Sequence, residues 1–365
     1  MLPDKAAAMH GACPGASHGV RRQPKYDLML ACENGPIEKE NAMPHAIRIH
    51  EHGGPEKLRW EEVDVGAPGP GQVRVRNTAI GLNFIDTYHR SGLYPMPLPM
   101  TLGGEGAGVV EAVGPRVKQF KAGDRVAYAQ PLGAYADVLL RPVDRLVKIP
   151  NGVEDRTAAA MMLKGMTAWY LCRRTYRAKA GETVLVHAAA GGVGQILCQW
   201  LKHLGVTVIG TVGSDDKAAL AKKAGCRHVI VMSRENVVER VKTITRGKGL
   251  PVVYDGVGKD TFMASLDCLA PRGLMVSFGN ASGAVPPVNI GMLATKGSLF
   301  LTRPTLIHYT ATPDDLATAA RELFSVVKKG AVKIAINQTY PLSEAAQAHR
   351  DLEARKTTGS TVLLP

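Results

Sequence analysis

Cysteine is scarce in this sequence, and its spacing excludes two classes of protein. The chain of 365 residues has six cysteines, which are Cys13, Cys32, Cys172, Cys198, Cys226 and Cys268. No two lie within four residues of each other, so the CxxC pairs of zinc sites are absent. The spacing is also unlike the dense disulfide framework of a small secreted protein. We therefore expect reduced thiols and a cytoplasmic location.

Runs of like charge are also missing, although the chain is basic. Lys and Arg number 45 against 32 Asp and Glu, which gives a formal net charge of +13. No run of five or more like charges occurs, and no nucleic-acid-binding motif or cluster of stacking aromatic residues is visible. We interpret the surplus as an aid to solubility and to the attraction of a phosphate-rich cofactor, and we expect no nucleic acid partner.

Segments typical of membrane or exported proteins are absent as well. Residues 183–201 carry no charge and are long enough to span a bilayer, but their glycines and polar residues favour a strand, a turn and a helix. Residues 1–42 lack the apolar core of a secretory signal and the acid-poor character of a transit peptide. We interpret them as a disordered tail or an over-long start, with Met43 as the real first residue, and we expect no membrane partner.

Regular periodicity begins at Met43. Apolar and polar residues alternate in 46–50, 58–60 and 73–76, which predicts half-buried strands. Further strands are predicted at 108–113, 125–128 and 135–140. After Pro150, strand and helix patterns alternate, which indicates βαβ units and a parallel sheet. The predicted strands of that part are 183–187, 206–211, 228–232, 251–254, 273–278 and 298–301, and the helices between them are 192–204, 215–224, 235–246 and 259–269. Further helices are predicted near 154–163, 166–176, 313–329 and 343–354, with a last strand at 360–364.

The strongest motif joins an apolar strand to a glycine-rich turn and a helix. Val184–Val186 precede the turn, and Gln195–Leu204 continue as the helix. Gly191 lets the backbone approach a pyrophosphate, Gly194 lets the helix pack closely on the sheet, and the helix N-terminus supplies free N–H groups. Alanine replaces the first glycine of the GxGxxG pattern, so the position of the turn between a strand and a helix carries the assignment. The motif predicts dinucleotide binding through Gly191, Gly192, Val193 and Gly194.

The end of the next predicted strand indicates which dinucleotide is bound. Sites for NAD usually have an acidic residue there, which binds the ribose hydroxyls. Residues 210–214 carry no acid, whereas Ser214 and Lys217 are suited to a ribose 2′-phosphate. Ser214 is equally suited to cap the following helix, and the two roles are compatible. We expect NADPH as the cofactor.

Several motifs in order resemble one enzyme family. They are Asn83–Tyr88, Ser91–Pro95, Gly103–Gly108, Lys121–Val126, His187–Gly194, Val253–Gly258 and Gly273–Asn280. From about Met43 to Pro365 the chain resembles the NADPH:quinone oxidoreductases, the zeta-crystallin-like, zinc-independent branch of the medium-chain dehydrogenase/reductase superfamily.

The resemblance implies an α/β fold in two domains and a homodimer. A Rossmann doubly wound parallel sheet is expected over 166–303. A GroES-like, mostly-β catalytic domain is expected over 43–165, completed by 304–365. Zinc-dependent relatives place a Cys and a Gly-His-Glu segment at the metal. Here Asn83, Asp86 and Gly103–Glu105 stand in those regions without the histidine, so no metal site is expected.

The resemblance also implies functional residues. It assigns Asn83 and Tyr88 to the nicotinamide end of the site and Tyr94 to the mouth of the cleft. The positions expected to bind cofactor are Gly191, Gly192, Val193, Gly194, Ser214, Lys217, Phe278, Arg303 and Arg355. Met232 stands where relatives often have a tyrosine near the adenosine, and it cannot donate a phenolic hydrogen bond.

Structural roles remain open for several of these residues. Asn83 could simply hold a turn, and Tyr88 and Tyr94 could be core aromatics. Arg303 and Arg355 could be ordinary surface residues. His187, at the end of a buried strand, is interpreted as a structural histidine rather than a proton donor.

The expected reaction is NADPH-dependent reduction of quinones by hydride or single-electron transfer, without zinc. A quinone needs no metal because its own conjugation spreads the developing negative charge, and the cofactor carries the redox chemistry. One alternative is reduction of α,β-unsaturated carbonyls, as in enoyl and alkenal reductases. Another is a crystallin-like or RNA-binding role without catalysis.

Overall fold

Three β-sheets and eleven helices build the part of the chain that the structure describes. This computed structural model describes residues Met43–Pro365, which form one compact unit. The tail expected over residues 1–42, with Cys13 and Cys32, lies outside the described residues. No helix of the described part is long and apolar enough to cross a membrane.

The elements follow one another along the chain as follows. The strands are β1 (His45–Ile49), β2 (Arg59–Glu62), β3 (Gln72–Leu82), β4 (Met100–Thr101), β5 (Glu105–Val113), β6 (Arg125–Ala129), β7 (Val138–Pro142), β8 (Val147–Lys148), β9 (Thr183–Val186), β10 (Thr207–Val212), β11 (His228–Val231), β12 (Leu250–Asp255), β13 (Leu269–Ser277), β14 (Phe300–Thr302), β15 (Ile336–Pro341) and β16 (Ser360–Leu364). The helices are α1 (Phe84–Ser91), α2 (Asp155–Ala159), α3 (Met162–Tyr170), α4 (Gly192–His203), α5 (Asp215–Lys223), α6 (Val237–Thr245), α7 (Phe262–Asp267), α8 (Gly291–Thr295), α9 (Leu306–Tyr309), α10 (Pro313–Lys328) and α11 (Ala345–Glu353).

The predicted doubly wound sheet is confirmed. Its six strands are all parallel and lie in the order β11-β10-β9-β12-β13-β14. Numbered from β9, this is the order 3-2-1-4-5-6 of dinucleotide-binding sheets. Alternate side chains of β9 enter different cores, Val184 and Val186 on one face and Leu185 on the other. Both faces are therefore buried, which explains the nearly continuous apolar runs in these strands.

The other two sheets form the mostly antiparallel part. One has the order β15-β16-β3-β5-β6-β8, with β7 also paired to β3, and the smaller one has the order β2-β1-β4. The last strand, β16, pairs antiparallel with β3, so that Thr361 faces Leu82. This pairing returns the end of the chain to the strand that leads into α1.

Several predicted element boundaries were wrong. The helix expected over 154–163 is divided into α2 and α3, and the helix expected over 166–176 ends at Tyr170 in a wider π turn, Leu171–Thr175. The strand expected to begin at Tyr135 begins at Val138. Tyr135 instead lies before it, where its hydroxyl bonds the side chain of Asp86.

Helix α1 was not predicted, although its ends are marked in the sequence. Asn83 is the N-cap and Asp86 is three residues further on, and the Asp86 carboxylate accepts from the Asn83 backbone N–H at 2.9 Å. This reciprocal arrangement is a capping box. Gly92 ends the helix at φ +84°, in the left-handed region that favours glycine.

Candidate cofactor and active site

A cavity of about 490 Å³ lies at the carboxyl ends of the parallel strands. Ala188 follows β9, Gly213 follows β10, Met232 follows β11 and Val257 follows β12, and all four residues line it. Ligands of open parallel sheets bind at this edge, where the strand order reverses. The cavity is therefore the candidate site for a dinucleotide.

The glycine loop supplies one wall of this cavity. Gly191, Gly192 and Val193 line it, and α4 begins at Gly192. Gly194 faces inward instead, because a Cβ there would come within 2.2 Å of the Ala188 carbonyl oxygen. The N–H groups of the first helical turn have no acceptor within the helix, and the helix dipole adds positive potential there. The wall fits the pyrophosphate of a dinucleotide.

Two cations without carboxylate partners line the same cavity. Lys217 Nζ donates to the Arg355 carbonyl oxygen at 2.7 Å. Within residues 43–365, neither Lys217 nor Arg355 has a carboxylate oxygen within 4.0 Å of its charged group, whereas the neighbouring Arg234 is paired with Asp215 at 2.8 Å. A phosphate would supply the missing negative charge, so this part of the cavity fits a ribose 2′-phosphate.

Ser214 and Met232, both expected near the adenosine half of the cofactor, are placed differently with respect to the cavity. Ser214 is the N-cap of α5, and its hydroxyl lowers the pKa of the Asp216 carboxyl. It lies between two lining residues, Gly213 and Lys217, without itself lining the cavity. The Met232 side chain is exposed and lines the cavity, where it offers an apolar surface but no hydrogen bond.

Asn83 lines another part of the cavity and belongs to a buried polar cluster. Its side-chain Nδ2 donates to Glu105 Oε1 at 2.9 Å, and Glu105 forms an ion pair with Lys164. Glu105 is fully buried, and only 6% of the Lys164 side chain is exposed. Asn83 therefore both caps α1 and lines the cavity. Neither Glu105 nor Lys164 was among the functional residues inferred from sequence.

Tyr88, Tyr94 and Arg303 form a second group around Asn280. The Tyr88 hydroxyl accepts from the Asn280 backbone N–H at 3.0 Å, and burial raises the pKa of Tyr88 to about 12. Arg303 Nη2 donates to the Tyr94 hydroxyl at 2.9 Å. With the oxygen of its side-chain amide facing Tyr94, Asn280 accepts from that hydroxyl at 3.1 Å. Tyr94, Asn280 and Arg303 line a second cavity of about 480 Å³.

Phe278 and His187 lie beside the cavities rather than in them. The half-buried Phe278 ring packs over Gly256, where a Cβ would come within 2.9 Å of it. The His187 ring is buried and bonds Thr211 at 2.9 Å and Ser265 at 3.0 Å. Both ring nitrogens are thus satisfied, and burial lowers the pKa of His187. The structural interpretation of His187 agrees with this arrangement.

Two family models match separate parts of the chain. A family model described as a zinc-binding dehydrogenase matches residues 192–324, and one described as an alcohol dehydrogenase GroES-like domain matches residues 69–151. Although the first description mentions zinc, no group of three or more His, Cys, Asp or Glu within residues 43–365 is placed to hold a metal ion.

The chain also has close relatives along nearly its whole length. A quinone oxidoreductase of Pseudomonas aeruginosa is 58% identical over 325 residues, which cover 88% of this chain and 100% of that protein. A 2-haloacrylate reductase of Burkholderia is 50% identical over 88% of this chain and 99% of that protein. The solved structure of Escherichia coli quinone oxidoreductase complexed with NADPH has a TM-score of 0.87 and 53% identity, and the match covers 88% of this chain and 100% of that one.

A parallel sheet of this strand order, with its glycine loop and a GroES-like domain, defines a medium-chain dehydrogenase/reductase. Given relatives at this identity and coverage, the chain belongs to the quinone oxidoreductase family of that superfamily. The family and the fold class expected from the sequence are both confirmed.

Proposed function

We propose that this protein oxidises NADPH and reduces quinones. The observation that carries the proposal is a single cavity that brings together the glycine loop, Asn83, and the cations of Lys217 and Arg355, which have no carboxylate partner within residues 43–365. Relatives named quinone oxidoreductase, one of them in complex with NADPH, support both the acceptor and the cofactor.

The chain's own residues bind and orient the reactants. The first turn of α4 holds the pyrophosphate, Lys217 and Arg355 hold the 2′-phosphate, and the Asn83 part of the cavity receives the nicotinamide. When bound, NADPH supplies the hydride equivalent. Holding a flat acceptor against the ring removes much of the entropic barrier to reaction. Tyr94 and Arg303 line the second cavity, and Tyr88 ties α1 to the loop after β13.

Reduction of α,β-unsaturated carbonyl compounds is the second candidate. The 2-haloacrylate reductase relative, at 50% identity, favours it. Both reactions place negative charge on an acceptor oxygen, so one site can serve either. Initial rates of NADPH oxidation with 1,4-benzoquinone, 2-hexenal and 2-chloroacrylate distinguish the two. We expect the highest kcat/KM with the quinone, and no oxidation with any of the three would contradict both candidates.

Lys217→Ala tests the cofactor assignment. We expect the KM for NADPH to rise about 10- to 100-fold, because a buried or half-buried charged contact contributes on the order of 1.5–3 kcal/mol. The KM for NADH should change little, since NADH has no 2′-phosphate.

The matched control is Lys222→Ala, which removes an exposed lysine from the same helix without changing the cavity. It should leave both KM values unchanged. Equal use of NADH and NADPH by the unmodified protein would overturn the assignment of Lys217.

Two further features belong to this proposal. A cytoplasmic location fits the four described cysteines, which are buried free thiols; those of Cys198 and Cys226 lie 3.4 Å apart, beyond the length of a disulfide bond, about 2.05 Å. A homodimer fits the exposed apolar edge strand β14, in which Phe300 is 61% exposed.

A further inference from the structure

A buried lysine in the main cavity has no role in the function proposed so far. Lys164 lies on α3 and lines the cavity, with its side chain 6% exposed. Its stem crosses the first turn of α4, because a Cβ on Gly192 would come within 2.8 Å of Lys164 Cδ. The ammonium group therefore reaches the cavity over the glycine loop.

The Lys164 ammonium group has more N–H donors than the described residues use. A lysine ammonium carries three N–H donors. Within residues 43–365, Glu105 is its one hydrogen-bond acceptor. Two N–H groups are left for a ligand in the cavity.

Both carboxylate oxygens of Glu105, in contrast, accept hydrogen bonds within the described part of the chain. Its Oε1 accepts from Lys164 and from Asn83 Nδ2, and its Oε2 accepts from the Leu163 backbone N–H at 2.6 Å. These contacts fix the carboxylate, and the carboxylate in turn fixes the ammonium. Lys164 and Asn83 share one oxygen of Glu105, so the ammonium lies beside Asn83.

A pair of this kind is poorly explained by stability alone. Taking two charges out of water costs several kcal/mol each, and apolar residues of similar size often stabilise a protein as well or better. The position of this pair, with free donors at the wall of a cofactor cavity, favours a role in binding or chemistry.

We propose that the Lys164 ammonium donates a hydrogen bond to the acceptor oxygen that gains negative charge on reduction, and that Glu105 is the residue that positions it. This inference rests on the proposed function, and it holds for a quinone and for an α,β-unsaturated carbonyl compound alike. A donor fixed in advance at a buried position, as Lys164 is, stabilises such an oxygen much more than a donor in water does.

The test replaces both charges at once. Lys164→Met alone would leave a buried, unpaired carboxylate and could unfold the protein. Lys164→Met combined with Glu105→Gln keeps both shapes and leaves no unpaired charge. Thermal denaturation and NADPH binding by calorimetry establish that this double variant is folded and holds the cofactor. Lys222→Met, on the exposed surface of α5, is the control.

The first readout needs no turnover. 4-Nitrophenol, whose anion is coloured, is titrated with pH in the presence of protein and NADP⁺. In the unmodified protein and in the control, we expect the bound probe to ionise about one pH unit or more below the free probe. In the double variant that shift should vanish. Failure of the probe to bind, or the same shift in the double variant, overturns the proposal.

The second readout is kinetic. We expect kcat with 1,4-benzoquinone to fall about 10²- to 10³-fold in the double variant, as when one oxyanion-binding donor is removed, while the Kd for NADPH changes less than about threefold. An unchanged kcat would contradict the proposal. If the unmodified protein reduces no acceptor, the proposed function fails, and the titration of the phenol still decides whether Lys164 stabilises an oxyanion.

Discussion

Asp86 is a fully buried carboxyl group whose two oxygens have different surroundings. Oδ2 accepts from the Asn83 backbone N–H and from the Tyr135 hydroxyl, each at 2.9 Å. Oδ1 has no partner within residues 43–365. Burial raises the pKa of Asp86 to about 7, more than its hydrogen bonds and the charge of Lys164 lower it. The unbonded Oδ1 is the natural place for the extra proton.

This raised pKa makes stability depend on pH. Between the ordinary pKa of 3.8 and about 7, the folded protein holds a proton on Asp86 that the unfolded chain has lost. The contribution of Asp86 to the free energy of unfolding is therefore complete below about pH 4, declines as the pH rises from there, and is lost above about pH 7.

Asp86→Asn isolates this contribution, because the amide imitates the neutral acid and does not titrate. We expect the variant to be the more stable protein already near pH 5, and its advantage to grow by on the order of 2–3 kcal/mol between pH 5 and pH 8. Urea denaturation of both proteins at the two pH values measures the difference. The same difference in stability at both pH values would show that the carboxyl group is ionised throughout.

Among individual site residues, those that belong to local sequence motifs could be predicted from the sequence. Gly191 lies in the turn between β9 and α4, and Lys217 lies just after the next strand, β10. Because both follow parallel strands, their place in one cavity could be predicted from local structure. Lys164 and Glu105 are 59 positions apart, and neither belongs to a pattern that predicts contact with the other. The pair exists because α3 lies against the amino end of β5, which is a tertiary contact.

At the scale of elements, the packing of α4 against the end of β9 depends on Gly194. In Gly194→Ala, the new methyl group would lie 2.2 Å from the Ala188 carbonyl oxygen, and both atoms belong to rigid backbone. Helix and turn must separate, so we expect a loss of about 1–3 kcal/mol in the free energy of unfolding and weaker NADPH binding. Chemical denaturation and calorimetry measure the two effects.

Gly213→Ala is the matched control for stability. Gly213 also lies beside the cavity, but its added Cβ would meet no atom within 4 Å and its backbone is not in the left-handed region. It should change stability by less than about 0.5 kcal/mol. Equal stability of the two variants would mean that α4 does not pack as closely as the structure places it.

Elements with a distinct hydrophobic pattern in the sequence were the most predictable. The strands of the parallel sheet are buried on both faces, so their apolar runs stand out, and the predicted 183–187, 206–211 and 228–232 are each within about one residue of β9, β10 and β11. β15 was missed because Ile336–Pro341 carries Asn, Gln and Thr and is half-exposed at the edge of its sheet. α1 was missed because its eight residues are too few for a clear period, although its capping box was readable.

At the scale of the whole molecule, the parallel sheet and the larger, mostly antiparallel sheet share one hydrophobic core. Ala79 and Ala127 of the antiparallel sheet belong to the same apolar cluster as Val184 and Val208 of the parallel sheet. The domain boundary expected at residue 165 lies within α3, a helix of that cluster, and it stays a prediction. Because the core is shared, it fixes the position of Asn83, which follows the antiparallel strand β3, relative to the glycine loop, which follows the parallel strand β9.

The edge of the parallel sheet is suited to pairing with a second copy of the chain. β14 is the last strand of the sheet, and Phe300 and Leu301 are 61% and 41% exposed on its two faces. An exposed apolar edge strand is a template for pairing with another strand. Pairing of two such edges would cover both residues and satisfy the free backbone groups of β14.

Light scattering after size exclusion tests this arrangement. The unmodified protein should have twice the chain mass of 39.0 kDa, and Phe300→Lys should have the mass of one chain, because the pairing would bury a charge without a partner. Val113→Lys changes another exposed apolar residue, 39% exposed, at the end of β5 and should stay dimeric. A single-chain mass for the unmodified protein at micromolar concentration, or dissociation of the Val113 variant as well, would exclude β14 as the dimer interface.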